Sequence, residues 1–183
     1  KWDNLFNYGA KNEINFSKLR GLVGIFGKNY SGKSSIVDGL LYTVFNNTAK
    51  NNRKNLNVVN QNEDSCYGKV EIDIGKDTYT VIRDTEKYKK NIKGKQTVEA
   101  KTDVSFSRRN RTTREVIEMN GIDRNETDQN IRRVFGTVDD FLLTSLASQL
   151  GSLSFIGEGS TRRKEILAKF LDLDIFDQKF KLA

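Results

Sequence analysis

Alternation of apolar and polar residues is the clearest pattern in the middle of the chain. Residues 67–74 and 78–83 both alternate, and a glycine-led turn at 75–77 separates them. Two alternating runs joined by such a turn predict a β-hairpin. Similar patterns at 97–106 and 116–119 predict two more strands, so we expect an antiparallel β-layer here.

Shorter strands and one long loop are predicted around this layer. Asn120-Gly121 follows the last strand of the layer and is a strong signal for a hairpin turn. Residues 48–64 are polar and rich in asparagine, which predicts a long, mobile loop. Short apolar runs predict further strands at 2–6, 13–16, 22–26 and 145–150.

Apolar residues spaced three or four apart predict several helices. The first is expected from about 33 to 45, with its apolar face toward the sheet and its end at Asn46-Asn47. A second is expected to end near Gly136. Residues that commonly cap helix N-termini mark the expected starts of the later helices, and these are Thr127, Thr137, Ser160 and Asp174.

Residues 27–34, Gly-Lys-Asn-Tyr-Ser-Gly-Lys-Ser, lie between a predicted strand and a predicted helix and match G-x-x-x-x-G-K-[ST]. Gly27 and Gly32 let the main chain curl so that successive N–H groups point into one concavity, and the helix N-terminus adds more. In such a loop Lys33 reaches the β and γ phosphates and the Ser34 hydroxyl binds Mg²⁺. A chance glycine-rich turn is the alternative, but the strand–loop–helix context favours nucleotide binding.

Composition limits the chemistry that the chain can perform. Among its 183 residues, 31 are Lys or Arg and 24 are Asp or Glu, a net charge of +7 that favours an anionic partner. Histidine is absent and Cys66 is the single cysteine, which excludes disulfides, Cys/His zinc sites and Ser-His or Cys-His triads within the chain. No apolar run is long enough to span a membrane and no leader is visible, so we expect a cytoplasmic protein without membrane contact.

Several motifs, in this order, resemble the N-terminal ATPase lobe of SMC-like DNA-repair ATPases of the SbcC type and their bacteriophage recombination counterparts. The resemblance covers both ends of the chain. It rests on Asn4-Leu5-Phe6-Asn7-Tyr8, Ile14-x-Phe16, residues 27–35, Asp38-Gly39-Leu40, Gln149-Leu150-Gly151, residues 162–167 and residues 171–176.

The resemblance implies an α/β P-loop NTPase fold, namely the N-terminal lobe of an ABC-type ATPase head with a mixed central sheet and an antiparallel β-layer. The lobe would occupy residues 1–172, and residues 173–183 would begin a helix leading into a coiled coil. ATP and Mg²⁺ are the implied cofactors, with Ser34 and Gln149 on the metal, Lys33 and Gln149 catalytic, and Gln149 also on the attacking water. The implied phosphate-binding residues are Gly27, Lys28, Asn29, Tyr30, Ser31, Gly32, Lys33, Ser34 and Ser35.

Two positions depart from the family pattern. Tyr30 stands where the family usually has glycine, and a positive φ there would strain a tyrosine. In Gln149-Leu150-Gly151 a leucine separates the glutamine from the glycine, which shifts the expected register of the metal contact.

The sequence lacks a Walker B strand, and residues 153–158 imitate the ABC signature only loosely. By the resemblance, these parts would come from a C-terminal half of the same head and from a second head that dimerises with it on ATP binding. A partner nuclease and double-stranded DNA are the other implied partners, and the implied role is DNA end processing in double-strand-break repair. We expect this chain alone to bind ATP weakly and to hydrolyse it negligibly.

Two stretches, 83–95 and 101–114, are rich in Lys and Arg. They could lie along a DNA backbone, where each phosphate contact steepens the salt dependence of binding. A solvated polar face is the alternative. The candidate DNA-binding residues are Arg108, Arg109, Arg111 and Arg114.

Three other functions compete with this interpretation. A transporter-type ABC ATPase would carry its glutamine much closer to the phosphate loop than Gln149 lies. A kinase or other small-molecule P-loop enzyme would need an acceptor site and a Walker B strand. A DNA-binding scaffold fragment would bind ATP without hydrolysing it.

Overall fold

A computed structural model gives the fold of most of the chain. The residues it describes are 1–48, 55–92, 95–145, 159–171 and 173. They fall into two compact units, Lys1–Val138 and Asp139–Ala183. The boundary expected at residue 172 stays a prediction.

The first unit contains a five-stranded antiparallel sheet whose strands follow one another in space in chain order. The strands are β1 (Trp2–Asp3), β2 (Ser65–Ile74), β3 (Asp77–Ile92), β4 (Lys95–Asn110) and β5 (Val116–Glu118). β3 and β4 are each 16 residues long and pair along their whole length. The predicted β-layer is therefore confirmed, with β2, β3 and β4 longer than the apolar alternation indicated and β5 one residue shorter.

Four helices and two short 3-10 helices complete the described elements. The helices are α1 (Lys33–Phe45), α2 (Arg124–Phe135), α3 (Val138–Thr144) and α4 (Ser160–Phe170), and the 3-10 helices are Phe16–Lys18 and Asn55–Asn57. α1 has the predicted bounds, and Asn46 ends it with φ 54° and a backbone N–H bonded to the Tyr42 carbonyl. None of the helices in the described part of the chain is long and apolar enough to cross a membrane.

α1 and α2 cover one face of the sheet and bury two apolar clusters. Gly68 of β2 lets α1 approach closely, since a Cβ there would collide with the Thr43 side chain. One cluster joins α1, β3, β4 and α2 through Val44, Val81, Phe106 and Ile131. The other is built from Leu5, Phe6, Tyr42, Val58, Val59 and Cys66. Together they fix α1, and thus the loop before it, against the sheet.

The predicted strand at 22–26 is wrong. These residues form no strand, and Leu22 and Phe26 are almost fully exposed. A strand needs partners for its backbone N–H and C=O groups, and residues 22–26 pair with neither edge strand of the sheet, β1 or β5. The segment before the phosphate loop therefore has the composition of a buried strand but joins no ladder among the described residues.

The first two predicted strands are also shorter than expected. β1 ends at Asp3 because Asn4 and Phe6 take positive φ values, 53° and 56°, which turn the chain. The Asn4 N–H then bonds to the Gly9 carbonyl at 3.0 Å and closes this turn. Residues 13–15 are not a strand, and Phe16 begins a 3-10 helix instead.

Two predictions near α2 are wrong. Asn120-Gly121 does not make a hairpin, because the Asn120 side chain accepts from the Phe106 N–H at 2.7 Å and a helix follows. The N-cap of α2 is Asp123, whose carboxylate accepts from the Glu126 N–H, and Thr127 lies inside the helix. The predicted helix end is confirmed at Gly136.

Residues 48–64 differ in part from the predicted polar loop. Val58 and Val59 are buried in the core, so the described end of the segment is anchored. At the other predicted starts, α3 begins after Thr137 and α4 begins at Ser160 itself. Residues 49–54, most of the strand predicted at 145–150, and the helix predicted after Asp174 lie outside the described residues.

Candidate phosphate-binding site

The loop at 27–34 turns directly into α1, and its geometry suits an anion. Gly32 is the N-cap residue of α1 with φ 92° and ψ 11°, a left-handed conformation that favours glycine. The Ser35 N–H donates to the Gly32 carbonyl at 2.9 Å, and the Ser31 N–H donates to the Lys28 carbonyl at 3.2 Å. The Ser35 N–H is used in this way, whereas the Lys33 and Ser34 N–H groups find no acceptor within an α-helix and are available to phosphate oxygens.

Both glycines of the motif lie close to polar side-chain atoms. A Cβ on Gly27 would lie 2.8 Å from Ser31 Oγ, and one on Gly32 would lie 2.9 Å from both amide atoms of Asn7. The atoms that a Cβ would meet belong to side chains, so at Gly32 the left-handed φ is the stronger reason for glycine. The concave side of this turn is the candidate anion cradle.

Tyr30 has φ 64° and its side chain is fully exposed. A tyrosine in the left-handed region costs roughly 1–2 kcal/mol relative to glycine. The strain expected from the departure at this position is therefore present in the loop, while the exposed ring leaves the cradle free.

Lys33 folds back over the loop. Its Nζ donates to the Gly27 carbonyl at 2.9 Å and to the Lys28 carbonyl at 2.7 Å. This places the ammonium group beside the cradle, where a phosphate oxygen could replace a carbonyl as its acceptor. Ser34 is exposed at the start of α1 and offers one hydroxyl to a metal ion.

Sequence reasoning missed two residues that contact this loop, Asn7 and Tyr8. The Tyr8 hydroxyl donates to the Gly32 carbonyl at 2.9 Å, and Asn7 Nδ2 donates to the Tyr30 carbonyl at 3.4 Å. Burial raises the pKa of the Tyr8 phenol. Both residues stood in the family-like motif at 4–8, but nothing in their spacing indicated a contact with a loop more than 20 residues away.

Gln149 lies outside the described residues, so its predicted approach to the metal stays a prediction. Within the described ranges, no group of three or more Asp, Glu, Cys or His side chains could hold a metal ion. Lys33 and the N–H groups at the start of α1 could thus hold phosphate, and the assignment of Ser34 to Mg²⁺ stays a prediction.

The four candidate DNA-binding arginines gather around the turns at one end of the sheet but differ in their surroundings. Arg111 binds Asp73 at 3.3 Å and the Gly75 carbonyl at 2.6 Å, and Arg108 lies 4.0 Å from Asp77. Arg109 and Arg114 are exposed and have no carboxylate partner among the described residues.

Comparison with known proteins agrees with the loop geometry. A family described as an AAA domain matches residues 2–183, nearly the whole chain. An uncharacterized protein of Acanthamoeba polyphaga mimivirus is 28% identical over 185 aligned positions, which cover 97% of this chain and 13% of that protein. The SbcC component of the SbcCD nuclease of Clostridium acetobutylicum is 29% identical over 184 positions, which cover 98% of this chain and 15% of that protein.

These matches confirm the resemblance to the N-terminal region of SbcC/SMC-like ATPases. The chain spans less than a sixth of the length of the two relatives it matches.

Proposed function

Since the chain belongs to the family of AAA domains, we propose that it forms the ATP-binding N-terminal lobe of an SMC-like ATPase head. The observation that carries this proposal is the tight turn at 27–34, with Gly32 in the left-handed conformation immediately before α1. In this proposal the first N–H groups of α1 bind phosphate oxygens together with the Lys33 ammonium group, which bonds to the Gly27 and Lys28 carbonyls of the same loop.

We further propose that ATP binding, head dimerisation and hydrolysis are coupled to DNA end processing with a partner nuclease. The similarity to one component of a nuclease supports this role. A switch of this kind needs a contact made with the γ phosphate and lost on hydrolysis, and Lys33 is the described residue suited to that contact. Ser34 and Gln149 would hold Mg²⁺, with Gln149 also orienting the attacking water.

The same proposal assigns the remaining catalytic groups to other parts of the protein. A hydrolytic head needs a carboxylate beside the metal, and the sequence lacks the Walker B strand that would supply it. That carboxylate and the signature loop would come from a C-terminal half of the head and from a second head. The chain alone should therefore bind ATP with negligible hydrolysis.

Thermal unfolding with and without Mg·ATP tests the proposal. At a nucleotide concentration ten times the Kd, binding stabilises the folded state by about 1.4 kcal/mol, which raises the Tm by roughly 3 to 6 °C for a chain of this size. Lys33→Ala should abolish the shift because it removes the ammonium group beside the cradle. Lys18→Ala removes the same charge at an exposed position outside the motif and should keep the shift.

An equal shift in wild type and Lys33→Ala would contradict nucleotide binding by this loop. ATP turnover by the chain alone should stay at the background rate. Robust turnover that disappears in Lys33→Ala would contradict the assignment of the missing catalytic groups to other parts of the protein.

A further inference from the structure

Tyr8 contacts the phosphate loop at the Gly32 carbonyl oxygen, whose direction determines the direction of the Lys33 N–H. Its hydroxyl donates to the Gly32 carbonyl at 2.9 Å. The peptide bond between Gly32 and Lys33 is a rigid plane in which the Gly32 C=O and the Lys33 N–H point in opposite directions. A hydrogen bond that holds the carbonyl therefore also holds the N–H, which opens the helix α1 and faces the anion cradle.

The tyrosine is itself held on two sides. Its ring packs edge-on against Trp2 of β1, with centroids 5.3 Å apart. Its carbonyl accepts from Asn60 Nδ2 at 2.9 Å, and its N–H donates to the Leu5 carbonyl at 3.0 Å. Tyr8 is thus held by contacts outside the phosphate loop. Its hydroxyl can therefore restrain the Gly32 carbonyl.

Tyr8 also excludes other residues from position 32. A Cβ on Gly32 would lie 3.2 Å from Tyr8 Cε2, in addition to its contacts with the Asn7 amide. The ring lies beside Gly32, and the hydroxyl donates to the Gly32 carbonyl, which also accepts from the Ser35 N–H. A phenylalanine ring would give the same packing, so the hydroxyl has a role beyond packing.

We propose that Tyr8 is a positioning residue for phosphate binding, which fixes the Gly32–Lys33 peptide so that the Lys33 N–H stays aimed at the bound anion. This inference rests on the proposed nucleotide binding by the loop. It assigns Tyr8 to the phosphates and not to the base or the sugar of the nucleotide.

Tyr8→Phe tests the inference because it keeps the ring and removes only the hydroxyl. The affinities of Mg·ATP and of tripolyphosphate, which has no base or sugar, are measured by calorimetry for wild type and variant. Loss of one hydrogen bond that orients a binding group should weaken both ligands by about threefold to tenfold. The Tm without ligand should change little, since the ring stays packed on Trp2.

Tyr88→Phe is the matched control. It removes a tyrosine hydroxyl that bonds to Glu99 at 2.7 Å on the exposed part of the β3–β4 hairpin, and it should leave both affinities unchanged. Unchanged affinities in Tyr8→Phe would overturn the inference while wild-type binding still supports the proposed function. Weakening of Mg·ATP alone would also overturn it, because the hydroxyl would then act on the nucleoside. Wild type that binds neither ligand would refute the proposed function itself.

Discussion

At the scale of single residues, burial changes the chemistry of Cys66. Its side chain lies in the cluster around Leu5 and Tyr42, and only 3% of the residue is exposed. Burial raises the pKa of the thiol from 9.0 to about 12, with a smaller opposing effect from its hydrogen bond to Thr85. The native thiol therefore stays protonated and poorly nucleophilic at neutral pH.

This pKa shift predicts a loss of stability at alkaline pH. Between pH 9 and 12 the unfolded chain releases the Cys66 proton and the folded chain keeps it. The unfolded state then binds fewer protons, so the free energy of unfolding falls as pH rises, by up to about 1.4 kcal/mol per pH unit. Urea unfolding of wild type and Cys66→Ala from pH 7 to 11 should show wild type losing more stability above pH 9.

The difference between the two proteins should be constant below pH 8, where the thiol is protonated in both the folded and the unfolded state. Comparing them also removes the contributions of Tyr8, Tyr42 and Tyr67, whose pKa values are raised mainly by burial. Parallel stability profiles across the whole range would show that the folded thiol titrates like a free one.

At the scale of elements, one buried ion pair ties β3 to both helices of the first unit. Arg83 is 0% exposed, and its Nη2 lies 2.6 Å from Asp128 of α2. Its Nε donates to the Thr43 carbonyl near the end of α1 at 3.0 Å, where a cation also complements the helix dipole. The helix that carries the phosphate loop is thus held at its far end by a residue of the sheet.

Asp128→Asn should destabilise the protein strongly, because it leaves a buried guanidinium group without its counter-charge. Removing one partner of a buried pair costs about 3–5 kcal/mol, measurable as a lower urea midpoint. Glu13→Gln breaks an exposed pair with Lys1, in which both side chains are more than half exposed, and should cost less than about 1 kcal/mol. Equal losses in the two variants would mean that the Arg83 pair contributes no more than a surface contact.

Sequence patterns correctly predicted the helices and strands that are specified by residues within the same segment. α1 and the β2–β3–β4 meander were found because their apolar periods and turn residues act locally. The cap at Asp123 could also have been found, since Asp123 and Glu126 form a capping-box pattern in which Glu126 reaches back to the Ile122 N–H at 2.6 Å.

Other features depend on distant partners and left no such signal. Residues 22–26 have strand composition, yet pairing decides whether a strand forms, and these residues pair with neither edge strand of the sheet. The hydrogen bond from Tyr8 to Gly32 joins segments that are remote in sequence. Within the candidate site, the motif therefore predicted the loop that precedes α1 but not the Asn7 and Tyr8 side chains that bond to it.

At the scale of the whole molecule, the net charge is +7, and the cationic side chains differ in whether a carboxylate lies beside them. Near the turns at one end of the sheet, Asp73 and Asp77 partly neutralise Arg111 and Arg108. Arg109 and Arg114 have no such partner among the described residues. If this end lies along a DNA backbone, as the basic stretches of the sequence suggested, the unpaired arginines should carry most of the phosphate contacts.

The salt dependence of duplex DNA binding tests this division. Each phosphate contact adds about 0.9 to the slope of log K against log salt concentration, so Arg109→Ala combined with Arg114→Ala should flatten the slope by up to about 1.8. The matched double variant, Arg108→Ala with Arg111→Ala, removes the same formal charge and should flatten it less, because those guanidinium groups already face carboxylates. If neither pair changes the slope, DNA does not contact this end of the sheet. If both change it equally, the ion pairs open on binding and local pairing does not select the DNA contacts.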